Sequence, residues 1–389
     1  MATRPTRRLG RAELNRTLLR RQFLDAPAEV TVEHAVTHLA GVHAQLPTAP
    51  YVGLWSRLAA FRHDDLGRLI EERRLVRVAL MRSTLHLVTA RDCLLLRPAV
   101  QQVLDRELAS VREFGPRLAG MDMAALLDEA RAVLKEKPLT ATELGARLRL
   151  RWPDRDARAM AYAVRNLEML VQVPPRGLWG KPGAPRHATA AQWLGADDPG
   201  ESHAGGRRER QEAMVLRYLA AFGPATVQDI QAWSGLTRLA EVVEPMRPRL
   251  RVLAGENGRE LFDLDSAPLA DADGPAPLRF LPEYDNALLG HADRGRVMPD
   301  GVTFAKYAER LRPRSVIRGA VLADGFLAGT WSVGKADGGA HVLRVDAFAR
   351  LSPADAAAAE ETGRKLLTFV TGEPGESGEP NAGRVELTR

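Results

Sequence analysis

A chain of 389 residues is too long for one ordinary core and predicts two to four units. Basic residues exceed acidic ones by six and the isoelectric point is near 9.7, which favours a polyanionic partner such as nucleic acid over an acidic small molecule. Cys93 is the only cysteine, which excludes an intramolecular disulfide framework and any cysteine-cluster zinc site.

Lysine occurs only at positions 135, 137, 181, 306, 335 and 365, so nearly all of the positive charge is arginine. Arginine suits bidentate phosphate contacts, although a GC-rich genome would enrich it equally. Arg4, Arg7 and Arg8 are followed by no apolar signal core, and no run approaches the ~20 apolar residues of a membrane span. A soluble, cytoplasmic protein without membrane contact is expected.

In chain order, a helix is predicted over 9–24. A second is capped by Thr31 and turns Val32, Ala35, Val36 and Leu39 inward; a third covers 64–74, and residues 76–80 and 85–88 alternate as a hairpin. The same order returns after a helix over 123–135. Thr140 caps a short helix, and a longer one shows Met160, Val164, Leu167 and Val171 on one face. A hairpin then runs from 170–173 through the turn 174–177 into Leu178 and Trp179.

A third copy follows a helix over 207–222. Thr226 caps a helix ending at Gly235, a second helix covers 239–246, and two strands flank the turn Glu256-Asn257-Gly258, a strong hairpin signal. Helices followed by a two-stranded wing describe the winged-helix arrangement, which sets a helix against a DNA groove and also serves in protein interaction. Beyond Pro275 the pattern is β-rich: a strand over 278–281, a hairpin over 315–332 turning at Asp324-Gly325, a strand over 341–348, a closing helix over 353–371 and a mobile tail after Gly372. The expected class is α+β, with units at 1–92, 93–198, 199–272 and 273–389.

The candidate chemistry lies at His43-Ala44-Gln45, in a loop punctuated by Pro47 and Pro50 after the Thr31-capped helix. Two neutral polar side chains there can position one water molecule, enough to hydrolyse a bond whose leaving group is already activated. His34 and His38, spaced i, i+4, lack the glutamate of a metalloprotease motif and a third ligand, and Asp285, His291 and Asp293 read as loop hydrogen bonding. No metal site is expected. No glycine-rich phosphate loop or dinucleotide fingerprint appears, so no organic cofactor is expected either.

Read onward, the tripeptide gives His43-Ala44-Gln45-Leu46-Pro47-Thr48-Ala49-Pro50-Tyr51-Val52-Gly53-Leu54-Trp55-Ser56-Arg57, which resembles the catalytic-loop signature of the AlkZ-like winged-helix DNA glycosylases. Met81-Arg82-Ser83-Thr84-Leu85-His86-Leu87-Val88 resembles the same family, as does Leu281-Pro282-Glu283-Tyr284-Asp285-Asn286 through Asp293-Arg294. The family signature is a Q-x-Q, H-x-Q or Q-x-D triplet, so His43 stands where the commonest form has Gln.

The resemblance implies three winged-helix modules and a C-terminal barrel-like domain around double-stranded DNA. It implies monofunctional excision of alkylated purines, chiefly N7-alkylguanine, with bulky natural-product adducts and interstrand crosslinks as variants. Catalysis then falls to His43 and Gln45, with Gln45 positioning the water and His43, with an ordinary imidazole pKa of about 6.5, orienting it or taking its proton. Arg57, Arg82, Thr84, His86 and Tyr51 are the expected DNA contacts, whereas Trp55 is assigned to the core. The protein is expected to act as a monomer, in general alkylation repair or in self-resistance to a DNA-alkylating natural product. A non-catalytic winged-helix regulator or architectural protein is the alternative.

Overall fold

The computed structural model describes residues 7–195, 206–310, 317–336, 339–372 and 383–388. Its helix starts follow from side chains that satisfy orphan N–H groups. Thr31 accepts from the His34 N–H to open the helix Val32–His38. Thr140 with Glu143, and Thr226 with Asp229, form reciprocal capping boxes at the helices Ala141–Arg151 and Val227–Ser234. Gly235, at φ +81°, ends the latter in a left-handed cap.

Helix, helix, hairpin is the observed order in the first segment: Val32–His38, His63–Glu71, then the strands Leu75–Ala79 and Leu85–Thr89 joined across the 3-10 turn Met81–Ser83. The third segment matches as well, with Val227–Ser234, Ala240–Met246 and the antiparallel strands Leu250–Gly255 and Glu260–Leu264. The opening helix is shorter than expected, Arg11–Arg21, because Arg8–Leu9 pairs in parallel with the Leu250–Gly255 strand.

The second segment departs from expectation. Leu170–Val173 does not turn back at 174–177; its partner is Arg186–Thr189. Pro174 and Pro175 lack the N–H groups a returning strand needs. Trp179 is spent on packing instead, its ring 4.2 Å from that of His63 and 5.1 Å from that of Tyr51. Val171 belongs to this strand, not to the preceding helix, which ends at Leu167.

The two hairpins are also not separate wings. Arg77 lies opposite Gln172 and Val78 opposite Val171, so the two hairpins belong to one six-stranded sheet. Its order is Val42–His43, Leu85–Thr89, Leu75–Ala79, Leu170–Val173, Arg186–Thr189, Leu139–Thr140. Joining edge to edge removes two exposed strand edges.

The C-terminal strands Arg279–Pro282, Ile317–Ala323, Phe326–Lys335, His341–Ala347 and Arg384–Thr388 pair in that order. Among the described residues the first and last do not pair, so the sheet is open and not a closed barrel. The helix Pro353–Thr371 lays Leu366, Leu367 and Val370 against Phe280, Trp331 and Leu343 of this sheet. Part of the expected mobile tail is thus an ordered strand, Arg384–Thr388, parallel to His341–Ala347; residues 373–382 lie outside the described residues. One apolar core runs from Leu18 through Val78, Met81, Leu96, Val171, Phe222 and Trp233 to Leu281, Leu288 and Leu327, tying all four segments together.

Candidate active site

Gly41, at φ +94°, turns the chain out of the Val32–His38 helix; a Cβ there would lie 2.7 Å from Val88 Cγ1. Val42–His43 then forms a short strand against Leu85–Thr89, with Val42 opposite Leu87 and His43 opposite His86. His43 is therefore held in a sheet and not in a loop. The ladder continues one step, since the Ala44 N–H donates to the Leu85 carbonyl at 2.8 Å. Gln45 is exposed, and its Oε1 accepts from the Leu85 N–H at 3.4 Å. Cross-strand partners share a face, so His43 lies on the face that carries His86, while Gln45 stands just past the end of the strand and reaches its neighbour through the Leu85 N–H.

The His43 ring is 6% exposed and meets two aromatic edges, His86 at 5.5 Å and Tyr284 at 6.0 Å between ring centroids. Burial, followed by the nearby Arg82 charge, pushes the His43 pKa down to about 4, with Asp285 opposing. The ordinary imidazole expected from the sequence is thus replaced by one that stays neutral through the physiological range. His86 is fully buried and its Nδ1–H donates to the Thr84 carbonyl at 3.1 Å. That placement removes it from direct contact with DNA.

The remaining predicted residues divide into two groups. Arg82 and Thr84 sit at the site in a strained turn, with φ of +55° at Arg82 and +56° at Ser83. Arg82 donates to the Trp233 carbonyl and, at 3.4 Å, to Asn286 Oδ1; the Thr84 hydroxyl donates to the Met81 carbonyl at 3.0 Å. Arg57 and Tyr51 take interior positions that leave nothing for a phosphate. Arg57 is 2% exposed and clamps Asp285, and the 1% exposed Tyr51 donates to the Gly177 carbonyl at 2.9 Å and accepts from the Trp179 N–H at 3.1 Å. Trp55 packs on Phe369 at 5.8 Å, in the core as expected.

Several residues of the site were given no role from the sequence, although Tyr284 and Asn286 stand in a stretch that carries the family resemblance. Asn286 donates to the Gly41 carbonyl at 3.3 Å and Tyr284, at φ +59°, presents its ring to His43. Arg77, 2% exposed on the opposite face of the sheet, donates to the Ala44 carbonyl at 2.7 Å, inside the tripeptide. Arg165 donates to the Ser83 carbonyl at 3.2 Å. A charged residue between Val76 and Val78 was the visible signal for Arg77. Its depth came only from the fusion of the two hairpins.

The discounted metal groupings are occupied otherwise. The His38 ring meets the Arg21 carbonyl at 2.7 Å, the His291 ring meets the Phe222 carbonyl at 3.0 Å, and Asp293 caps the turn Arg294–Arg296.

A family model described as "DNA glycosylase AlkZ-like" matches residues 36–369. A curated relative from Streptomyces sahachiroi, an interstrand DNA cross-link repair glycosylase, is 24% identical over 343 residues, covering 81% of this chain and 85% of its own. The solved structure of the Streptomyces sahachiroi DNA glycosylase AlkZ superposes with a TM-score of 0.72 at 20% identity, over 98% of this chain and 100% of that one.

Proposed function

The chain belongs to the AlkZ-like DNA glycosylase family, and from that premise we propose that it is a monofunctional glycosylase that hydrolyses the N-glycosidic bond of N7-alkylguanine-type lesions in double-stranded DNA. The observation that carries this reading is a buried, neutral His43 in a strand with an exposed Gln45 just past its end, beside the turn of Arg82 and the segment of Tyr284.

An N7-alkylated guanine carries a formal positive charge, so its bond to C1′ can break without a general acid. The bond pair leaves with the purine, neutralising it, and the sugar becomes oxocarbenium-like. Water adds to C1′ and loses a proton to solvent. Gln45 offers its carbonyl to that water and its NH2 to the sugar or a neighbouring group. His43 accepts a hydrogen bond from the water and, being uncharged, does not repel the developing cation.

Phosphate contact is proposed for the rim of the site. Arg82, Arg106, Arg165 and Arg294 gather around the turn Met81–Ser83: Arg165 donates to the Ser83 carbonyl, Arg106 donates to the Gly235 carbonyl, a Cβ on Gly235 would lie 3.2 Å from the Arg82 backbone, and the Arg294 charge, after burial, helps push the Arg82 pKa down. Among the described residues none of the four is paired with a carboxylate, so their charge is proposed to face phosphate, with Arg82, whose amino groups already bond Trp233 and Asn286, acting through its charge.

We further propose three winged-helix modules with boundaries at 1–92, 93–198 and 199–272, a β-rich unit over 273–389, and action as a cytoplasmic monomer. The name of the Streptomyces relative supports interstrand crosslinks among the candidate substrates, with general alkylation repair or self-resistance as the role. An excision panel tests the proposal. N7-methylguanine, bulky adduct and crosslinked duplexes are incubated with the protein and with Gln45→Ala, and abasic sites are read by alkali cleavage. Release from at least one substrate by the wild type alone is the expected result; release by both rejects this site.

A further inference from the structure

Two buried ring nitrogens beside the site have no hydrogen-bond partner among the described residues: His43 Nδ1 and His86 Nε2. They belong to residues directly opposite one another in the sheet, with ring centroids 5.5 Å apart and planes at 84°. Orphaned buried polar atoms are rare and call for a role.

The proton positions follow in order. The Thr84 carbonyl can only accept, so the His86 Nδ1 facing it at 3.1 Å carries the hydrogen. The same carbonyl also accepts the Leu80 N–H at 3.0 Å, which fixes its place in the turn. A neutral His86 then has a bare lone pair on Nε2. Full burial beside Arg82 keeps a second proton off that atom. Among the described residues, the orphan on its cross-strand partner, His43 Nδ1, can satisfy it as a donor.

We infer that His86 is a positioning residue: its Nε2 accepts the His43 Nδ1–H through one bridging water, and so locks His43 in the tautomer whose Nε2 is the free acceptor. This rests on the reading of His43 and Gln45 as the water-positioning pair. A histidine has two tautomers and only one presents an acceptor at Nε2; the hydrogen bond made by the other nitrogen selects between them. The chain Thr84 carbonyl, His86, His43 thus transmits one fixed proton arrangement from the backbone of the strained turn to the reacting water. A Gln at position 43 has a fixed amide and needs no such selection.

The test is the tautomeric state of His43 in the full-length protein. Ring-15N-labelled histidine distinguishes pyrrole-type from pyridine-type nitrogens, and His43→Gln and His86→Gln assign the two rings among nine histidines. The inference requires pyrrole-type Nδ1 and pyridine-type Nε2 on both. A His43 protonated on Nε2 overturns it, and this measurement on the wild type depends neither on a variant folding nor on excision.

A second arm uses activity. His86→Phe is expected to lower single-turnover excision about 10-fold or more with unchanged DNA affinity, and the same change in a His43→Gln background is expected to cost little. Equal losses in both backgrounds would assign His86 a purely structural part and reject the inference. Correct tautomers combined with full activity of Gln45→Ala would instead reject the functional reading of the tripeptide.

Discussion

Arg57 and Asp285 form a two-pronged ion pair, Nη1 to Oδ2 at 2.9 Å and Nη2 to Oδ1 at 2.8 Å, with side chains 3% and 2% exposed. The pair joins the helix region after the tripeptide to the segment that supplies Tyr284 and Asn286. Asp285 also accepts the Ala287 N–H at 2.8 Å. Removing one partner of a buried pair leaves an uncompensated charge, and Asp285→Ala is expected to cost about 3–5 kcal/mol. Urea unfolding measures it; a loss under about 1 kcal/mol would mean that water reaches the pair. Because Arg57 faces inward, Arg57→Lys should leave the salt dependence of DNA binding unchanged.

Gln45→Ala is expected to reduce excision to near background while duplex binding persists, since Gln45 lies exposed at the end of the strand and holds no core contact. His43→Gln is expected to remain active. Single-turnover excision alongside fluorescence anisotropy separates the two effects, and parallel loss of binding and rate in Gln45→Ala would assign it to binding.

The buried His43 predicts a rate that is flat from about pH 5 to 8 and falls only as pH approaches 4. A midpoint near 6.5 in saturated single-turnover reactions would show an ordinary solvated imidazole. Stability carries the matching sign. The unfolded chain binds a proton on His43 below about 6.5, whereas the folded chain does so only near 4, where burial and Arg82 have moved its pKa. Full stability above about pH 6.5 is therefore lost progressively as pH falls toward 4. His187, also pushed down to about 4 by burial, then Arg165, adds to the same window. His43→Gln should flatten the decline by roughly 2–3 kcal/mol across it in denaturant titrations at stepped pH.

Arg165→Ala removes one rim cation while leaving His43 and Gln45 in place. The plot of log affinity against log salt should lose about one unit of slope, equally for lesion-bearing and undamaged duplex. An unchanged slope would move the phosphate track away from the turn Met81–Ser83.

Local signals were legible in the chain because they act within a few residues. The caps at Thr31, Thr140 and Thr226 and the turns at Asn257-Gly258 and Asp324-Gly325 stand where their side chains and positive-φ residues demand. The closing helix Pro353–Thr371 also agrees with its sequence pattern. The return strand of the second segment was misplaced because a twelve-residue loop, 174–185, intervenes, and no local pattern announces the pairing of Arg186–Thr189.

The sequence by itself picked out His43 and Gln45 as the candidate pair, because residue type and spacing are local, but it set both in a loop, whereas the fold holds His43 in a strand and leaves Gln45 just past its end. Only the tertiary structure decided which predicted residues reach solvent. Arg57, Tyr51 and His86 are polar enough to suggest DNA contact, yet all three are buried, and Arg57 and Tyr51 are closed off by distant partners: Asp285 lies 228 residues from Arg57, and Gly177 lies 126 from Tyr51. The same enclosure sets the protonation of His43. Burial is a sum over segments far apart in the chain, and neither residue type nor spacing encodes it.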